Sequence, residues 1–154
     1  MAAAMAREDG AMDKRFWVCG AVMTFAALVL TLLVHAVLLG GHYAELGAMY
    51  RDAGDGARRF GWLLFAHALV GHAMTWVFAH GFDRGRPTLA QGLRFGLAMA
   101  LFGPVPATLL QYAMQPLPGA LAVRQAVLGT LAMMLLGMLL AWLQPRRVAL
   151  GEPG

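Results

Sequence analysis

The residues able to do chemistry in this sequence are few, and they fall at matching depths. His35 stands five residues before the end of one long apolar stretch, and His67 seven residues into the next. At ~1.5 Å per helical residue this places them roughly 7 Å and 10 Å from a shared boundary. Thr108, Gln111, Tyr112 and Gln115 recur at i, i+3, i+4 and i+7, which is one face of one helix. Arg124 and Gln125 lie in the first turns of a fourth apolar stretch. Polar side chains are costly in hydrocarbon and normally turn toward a bundle interior. The eight therefore form a candidate pocket, in which Arg124 would meet an anionic group while Gln111, Gln115 and Tyr112 supply hydrogen bonds. Such a pocket suits a lipid headgroup, a small amphipathic molecule or a partner subunit, in a protein that binds rather than catalyses.

The alternative reading of the same histidines is electron transfer. A b-type haem with two histidine ligands needs two neutral imidazoles on facing helices at similar depth, and His35 and His67 meet that description. His72 cannot share the face of His67, because five residues rotate it by about 140° around the helix. The third and fourth stretches carry no histidine. None of the four stretches carries Asp or Glu. This disfavours a carboxylate proton relay and leaves a membrane-embedded hydrolase or transferase without a base. No catalytic residue and no metal ligand is assigned. The single cysteine, Cys19, excludes an intramolecular disulfide or a paired-thiol redox centre. The eleven methionines are dispersed filler rather than a copper array. No phosphate-binding glycine loop, HExxH or Gly-x-Ser-x-Gly pattern occurs. Basic residues never cluster beyond the pairs Arg58-Arg59 and Arg146-Arg147, so nucleic acid is not an expected partner.

The elements that must hold these residues are membrane spans. Of the 154 residues, 60% are hydrophobic and 13% charged, with a mean hydropathy of +0.62, far from the quarter charged and under-half apolar mix of soluble domains. Long apolar blocks, free of Asp and Glu, predict an all-α integral membrane four-helix bundle with spans over 16–40, 60–79, 89–114 and 120–143. Residues 1–15 read as a flexible tail, 16–143 as one transmembrane domain and 144–154 as a second tail. The first block is too long for the apolar core of a signal peptide and reads as an uncleaved helix. Steps of 7, 4 and 7 align Thr24, Thr31, His35 and His42 in one stripe, the expected inward face of the first helix. Gly92, Gly96 and Ala100 form a small-residue face suited to close helix approach, within the chain or in a homo-oligomer. Pro104 and Pro106 leave the carbonyls of Ala100 and Phe102 without intrahelical donors and should kink the third span.

Residues 89–143 also resemble a family of small four-span bacterial inner-membrane proteins of uncharacterised function. The residues that carry the resemblance are Gln91-Gly92-Leu93-Arg94-Phe95-Gly96, the run from Tyr112 to Gly119, and Val123-Arg124-Gln125, with a weaker match at Ala66-His67 and Thr75-Trp76. The resemblance implies a four-helix inner-membrane protein. It implies no activity, cofactor or site residue.

Orientation follows from the basic residues. Eight of the twelve Lys and Arg flank the side that bears both termini, and four flank the other, which predicts cytoplasmic termini. Trp17, Trp76 and Trp142 then mark the inner interface, with Trp62, Tyr43 and Tyr50 at the outer one. A C-terminal alkaline phosphatase fusion is expected to be inactive, and a reporter at Gly54 to be exposed to the periplasm. An active C-terminal fusion would invert the topology.

Overall fold

The computed structural model describes residues 2–47, 53–81, 83 and 87–143. Among these residues there is no strand. Helix α1 (Ala2–Leu32) runs into a π-helical segment (Leu33–Leu38), followed by the short helices α2 (Gly40–Glu45) and α3 (Ala53–Arg58). Helix α4 (Phe60–Gly81), the pair α5 (Thr88–Phe102) and α6 (Pro104–Met114), and α7 (Gly119–Leu143) complete the chain. Four stretches are long and apolar enough to cross a membrane: Lys14–Leu38, Phe60–Gly81, Thr88–Met114 and Gly119–Leu143. The molecule is therefore an all-α, multi-pass membrane protein.

Several boundaries differ from the sequence expectation for identifiable reasons. The segment expected as a flexible tail is helical from Ala2 and continuous with the first span; its run of alanines has the highest helix propensity available. The expected tail 144–154 lies outside the described residues. The first span leaves regular α geometry at Leu33, not at Gly40. Gly40 instead begins α2, so part of the long connection is helical. The third span is two helices joined at Gly103. There the Gly103 amide still reaches the Met99 carbonyl (2.9 Å) and Gly103 caps the next helix through Ala107 (3.1 Å). The first amides of any helix lack intrahelical acceptors, and hydrocarbon offers no water in their place. Pro104 and Pro106 sit in that first turn and remove two of those donors.

Two helix pairs approach so closely that glycine is required. Between α5 and α7, a Cβ on Gly92 would lie 2.6 Å from the Gly137 carbonyl oxygen and 2.8 Å from the Ala141 Cβ. A Cβ on Gly96 would collide with the Met133 carbonyl and come within 2.6 Å of the Met134 Cα. Ala100, the third member of this small-residue face, is completely buried. The face is thus filled by the chain's own α7 and is not free for a second copy. Between α1 and α4, Gly71 lies against the Thr24 backbone and hydroxyl (2.5 and 2.6 Å from its ideal Cβ), and Gly20 lies against the His72 ring.

A core of Met23, Ala27, Met74, Phe78, Leu136, Leu140 and Ala141 ties α1, α4 and α7 together toward the end that bears the termini, here called proximal. A smaller core of Val34, Leu39, Leu117 and Leu121 closes the opposite, distal end. Trp17, Trp76 and Trp142 stand exposed toward the proximal end and Trp62 toward the distal one, the arrangement of two interfacial belts.

The glycine contacts set a direct stability expectation. Gly96→Ala should destabilise the folded protein by about 1–3 kcal/mol, the usual cost of overpacking, because backbone rather than a movable side chain faces it. Gly61→Ala, with nothing within 4 Å of its ideal Cβ, should stay within about 0.5 kcal/mol of the parent. Reversible unfolding in mixed micelles would measure both, and equal midpoints would mean that the close approach is not required.

Candidate functional site

The distal end is built around a bend at Leu39. After the π segment, Leu39 donates to the Val34 carbonyl (2.9 Å), and α2 follows with its first amides on Leu39. Leu39 is fully buried, and Tyr43 and Leu46 pack with it against Leu117 and Leu121. The described start of the connection, α2 and Leu46, is therefore held by apolar contact against Leu117 and the first turn of α7.

This bend delivers two polar side chains, His42 and Tyr43. The Gln125 amide donates from Nε2 to the Tyr43 phenol oxygen at 2.8 Å. The phenol in turn donates to His35 Nδ1 at 2.7 Å, its ring stacked near-parallel on the imidazole with centroids 5.9 Å apart. With Nδ1 accepting, the neutral His35 ring carries its proton on Nε2. On the next residue of α7, Arg124 is exposed, and its guanidinium Nη1 meets His42 Nε2. Arginine only donates, so His42 is held here as a neutral acceptor.

Gln125 is 7% exposed, and its Oε1 has no hydrogen-bond partner among the described residues. Turning the amide over does not cure this. Oε1 would then accept the single phenol proton, with His35 Nδ1 donating to the phenol instead, but the amino group with its two hydrogens would be left facing the same gap. One end of a buried amide therefore lacks a partner in either orientation, at a cost of about 1–3 kcal/mol.

The other candidates are placed elsewhere. His67 donates from Nδ1 to the Leu63 carbonyl (2.7 Å) and accepts at Nε2 from the Thr31 hydroxyl (2.8 Å), which joins α1 to α4. Gln111 donates to Gln115 across one turn of α6 at 3.3 Å. Tyr112 is about half exposed, with its ring over Gly119, and Thr108 is buried. Hydrogen bonding thus sorts the eight candidates into separate groups rather than one: His35 and Gln125 beside Arg124, His67 with Thr31, and Gln111 with Gln115. The stripe expected along the first helix also divides. Thr24 and Thr31 face α4, whereas His35 and His42, within and beyond the π segment, serve Tyr43 and Arg124.

For haem, the Nδ1 bond of His67 to a carbonyl is the one a ligating histidine makes, but its Nε2 lone pair already holds the Thr31 hydroxyl. A haem between His35 and His67 would have to break that contact. Among the described residues, no group of three or more His, Cys, Asp or Glu side chains is placed to hold a metal ion. Nor does a described carboxylate pair with Arg124: Asp55 pairs with Arg58 and Arg59, and Glu45 is exposed. Asp52, the third acid considered as its counter-charge, lies outside the described residues.

Sequence reasoning set His42 on the inward stripe of the first helix and Tyr43 at the outer interface, and neither in the candidate pocket. Gly40 and Gly41 lie inside α2 with ordinary helical backbone, and nothing in the spacing names the residues that His42 and Tyr43 would meet. No family model, curated protein or solved structure matches this chain.

The unpartnered amide separates two substitutions. Tyr43→Phe removes the only group shared by His35 and Gln125 and should destabilise by about 1–3 kcal/mol. Gln125→Leu deletes a hydrogen bond but also the unpaired amide, and should be within about 1 kcal/mol of neutral or stabilising. Thermal unfolding in detergent ranks them; a Gln125→Leu protein less stable than Tyr43→Phe would mean that both amide ends are satisfied.

Proposed function

We propose that the chain is a non-catalytic binding or accessory protein of a bacterial inner membrane, with cytoplasmic termini, whose distal cap binds an anionic amphiphile of the outer leaflet. The observation that carries this reading is the buried, unpartnered end of Gln125, one residue from an exposed guanidinium. The two groups ask for complementary chemistry. Arg124 offers cationic donors suited to a phosphate oxygen. Gln125 Oε1 offers an acceptor that needs a hydroxyl or amine donor. A phosphate and a hydroxyl on one small headgroup, as in phosphatidylglycerol, answer both.

His42 and Tyr43 fit the same reading as supports. His42 holds the Arg124 guanidinium without neutralising it, as a carboxylate would. Tyr43 holds the Gln125 amide in register and ties it to His35. Nothing in this arrangement supplies a base for covalent chemistry, since both described histidine acceptors are already occupied by protein donors. The eight-to-four distribution of basic residues supports the orientation.

In delipidated protein, short-chain phosphatidylglycerol should raise the unfolding temperature by about 5 °C or more, as a ligand well above its dissociation constant does. Arg124→Gln should lose most of that shift. Gln125→Leu should lose the advantage of phosphatidylglycerol over a phosphatidic acid monoester that lacks the glycerol hydroxyls. A shift of equal size in the Arg124→Gln protein would sink the reading.

A further inference from the structure

His35 stands apart from the other polar side chains of the spans. It lies three residues inside the end of the first span, Lys14–Leu38, which is about 5 Å at the rise of a helix. It is also exposed. Polar side chains at such depth normally turn inward or find partners within the protein. Thr24, Thr31, His67 and Thr75 do so. His35 does so on one nitrogen only.

The relay from α7 decides what the other nitrogen offers. Gln125 Nε2 donates to the Tyr43 phenol oxygen at 2.8 Å, and the phenol proton goes to His35 Nδ1 at 2.7 Å. The imidazole then holds its own proton on Nε2. That N–H has no hydrogen-bond partner among the described residues. The Tyr43 ring, 12° from parallel with the imidazole, keeps it from turning freely. A fixed donor exposed within a span faces acyl chains, which provide neither an acceptor nor water.

The bilayer supplies one class of acceptor at this level. Ester carbonyls join headgroup to acyl chains, at the boundary between the hydrocarbon and the interfacial layer. The rest of the cap sets the register. His42, which contacts Arg124, lies beyond the end of the span, and His35 lies inside it. A lipid whose phosphate meets Arg124 therefore carries its ester carbonyls inward, to the level of His35. Its chains continue along exposed apolar side chains such as Leu32 and Leu38, three residues to either side of His35.

We propose that His35 is a specificity residue for ester-linked lipid, its Nε2–H donating to an acyl ester carbonyl of the lipid held at the distal cap. The inference rests on the anionic-lipid reading of that cap and adds a selection that the headgroup contacts do not provide. An ether-linked lipid has the same phosphate, hydroxyls and chains but no carbonyl. A free headgroup such as glycerol phosphate reaches Arg124 and leaves His35 unanswered.

The test compares short-chain phosphatidylglycerol in its diester and diether forms, at matched chain length, on the delipidated full chain. The diester should reach half of its maximal shift in unfolding temperature at about three- to tenfold lower concentration, the range of one net hydrogen bond. His35→Phe keeps a ring against Tyr43 without the N–H, and should bring the diester to the level of the diether. Arg124→Gln should weaken both lipids and leave their ratio standing. In protein with nitrogen-labelled imidazoles, the diester but not the diether should move one Nε2–H resonance, a readout that serves where His35→Phe does not fold. Equal potency of the two lipids on the parent protein, or a diester preference that survives His35→Phe, would overturn the proposal and leave the headgroup reading in place. No shift from either lipid would remove that reading and this inference together.

Discussion

Backbone-to-backbone approach at glycine is the contact on which the rest of this structure depends. Hydrocarbon gives helices no hydrophobic reason to associate, since lipid tails are as apolar as leucine, so packing at short range must do the work. Gly92 and Gly96 lie on Gly137 and Met133, and Gly71 lies on Thr24. At these points no side chain separates the helices, and dispersion acts between main chains. This arrangement pairs the first span with the second and the third with the fourth, and the core around Met23, Met74 and Leu140 then joins the pairs. Because the closest approaches of α5 and α7 lie on the proximal side of Gly103, α6 beyond the break is free to take a separate course toward the distal end.

Polar satisfaction is the second constraint, and the spans meet it locally. Thr24, Thr75 and Thr130 return their hydroxyl hydrogens to the carbonyl four residues earlier at 2.7–2.8 Å. His67, His72 and His80 donate from Nδ1 in the same way. Bonds of this kind remove a buried donor without needing another helix, and they explain why most polar residues of the spans are structurally quiet. Gln125 is different. Its amide spans two needs, only one of which Tyr43 fills, and hydrocarbon provides no water to fill the other. A buried group that departs from the rule its buried neighbours obey is the soundest pointer to a missing partner that an apolar bundle can offer.

The four spans were legible because long apolar blocks there hold at most one charged residue each, a property that needs no knowledge of neighbours. The break in the third span was legible for a similar reason: proline lacks a donor wherever it stands. Gly92 and Gly96 announced a close contact, though not whether its partner was Gly137 or another chain. What the sequence did not disclose was the rotation of His35 and His42 away from the face of Thr24 and Thr31. A stripe drawn at 100° per residue assumes a continuous α-helix, and the π segment at Leu33–Leu38 breaks that assumption. Equal depth therefore brought His35 and His67 onto the same level without placing them in one group. The pairing of the Gln91 side chain with the Asp83 backbone amide and carbonyl was hidden for a related reason, because it reaches across a loop, and loop backbone carries no residue-type signature.

The two ends of the bundle differ in what they lack, and this difference follows from where carboxylates are tolerated. Within the spans there is none, so the distal cap holds its guanidinium with the neutral ring of His42, and the positive charge of Arg124 remains available to an anion. At the proximal end the chain has already left the apolar stretch when it reaches Asp83, so a carboxylate can stand beside the same cavity as Arg94 at little desolvation cost. A cation steadied by a neutral acceptor keeps its net charge, whereas a carboxylate nearby offsets it. Which of the two an arginine at the end of a span can have is set by whether the local backbone lies inside or outside hydrocarbon.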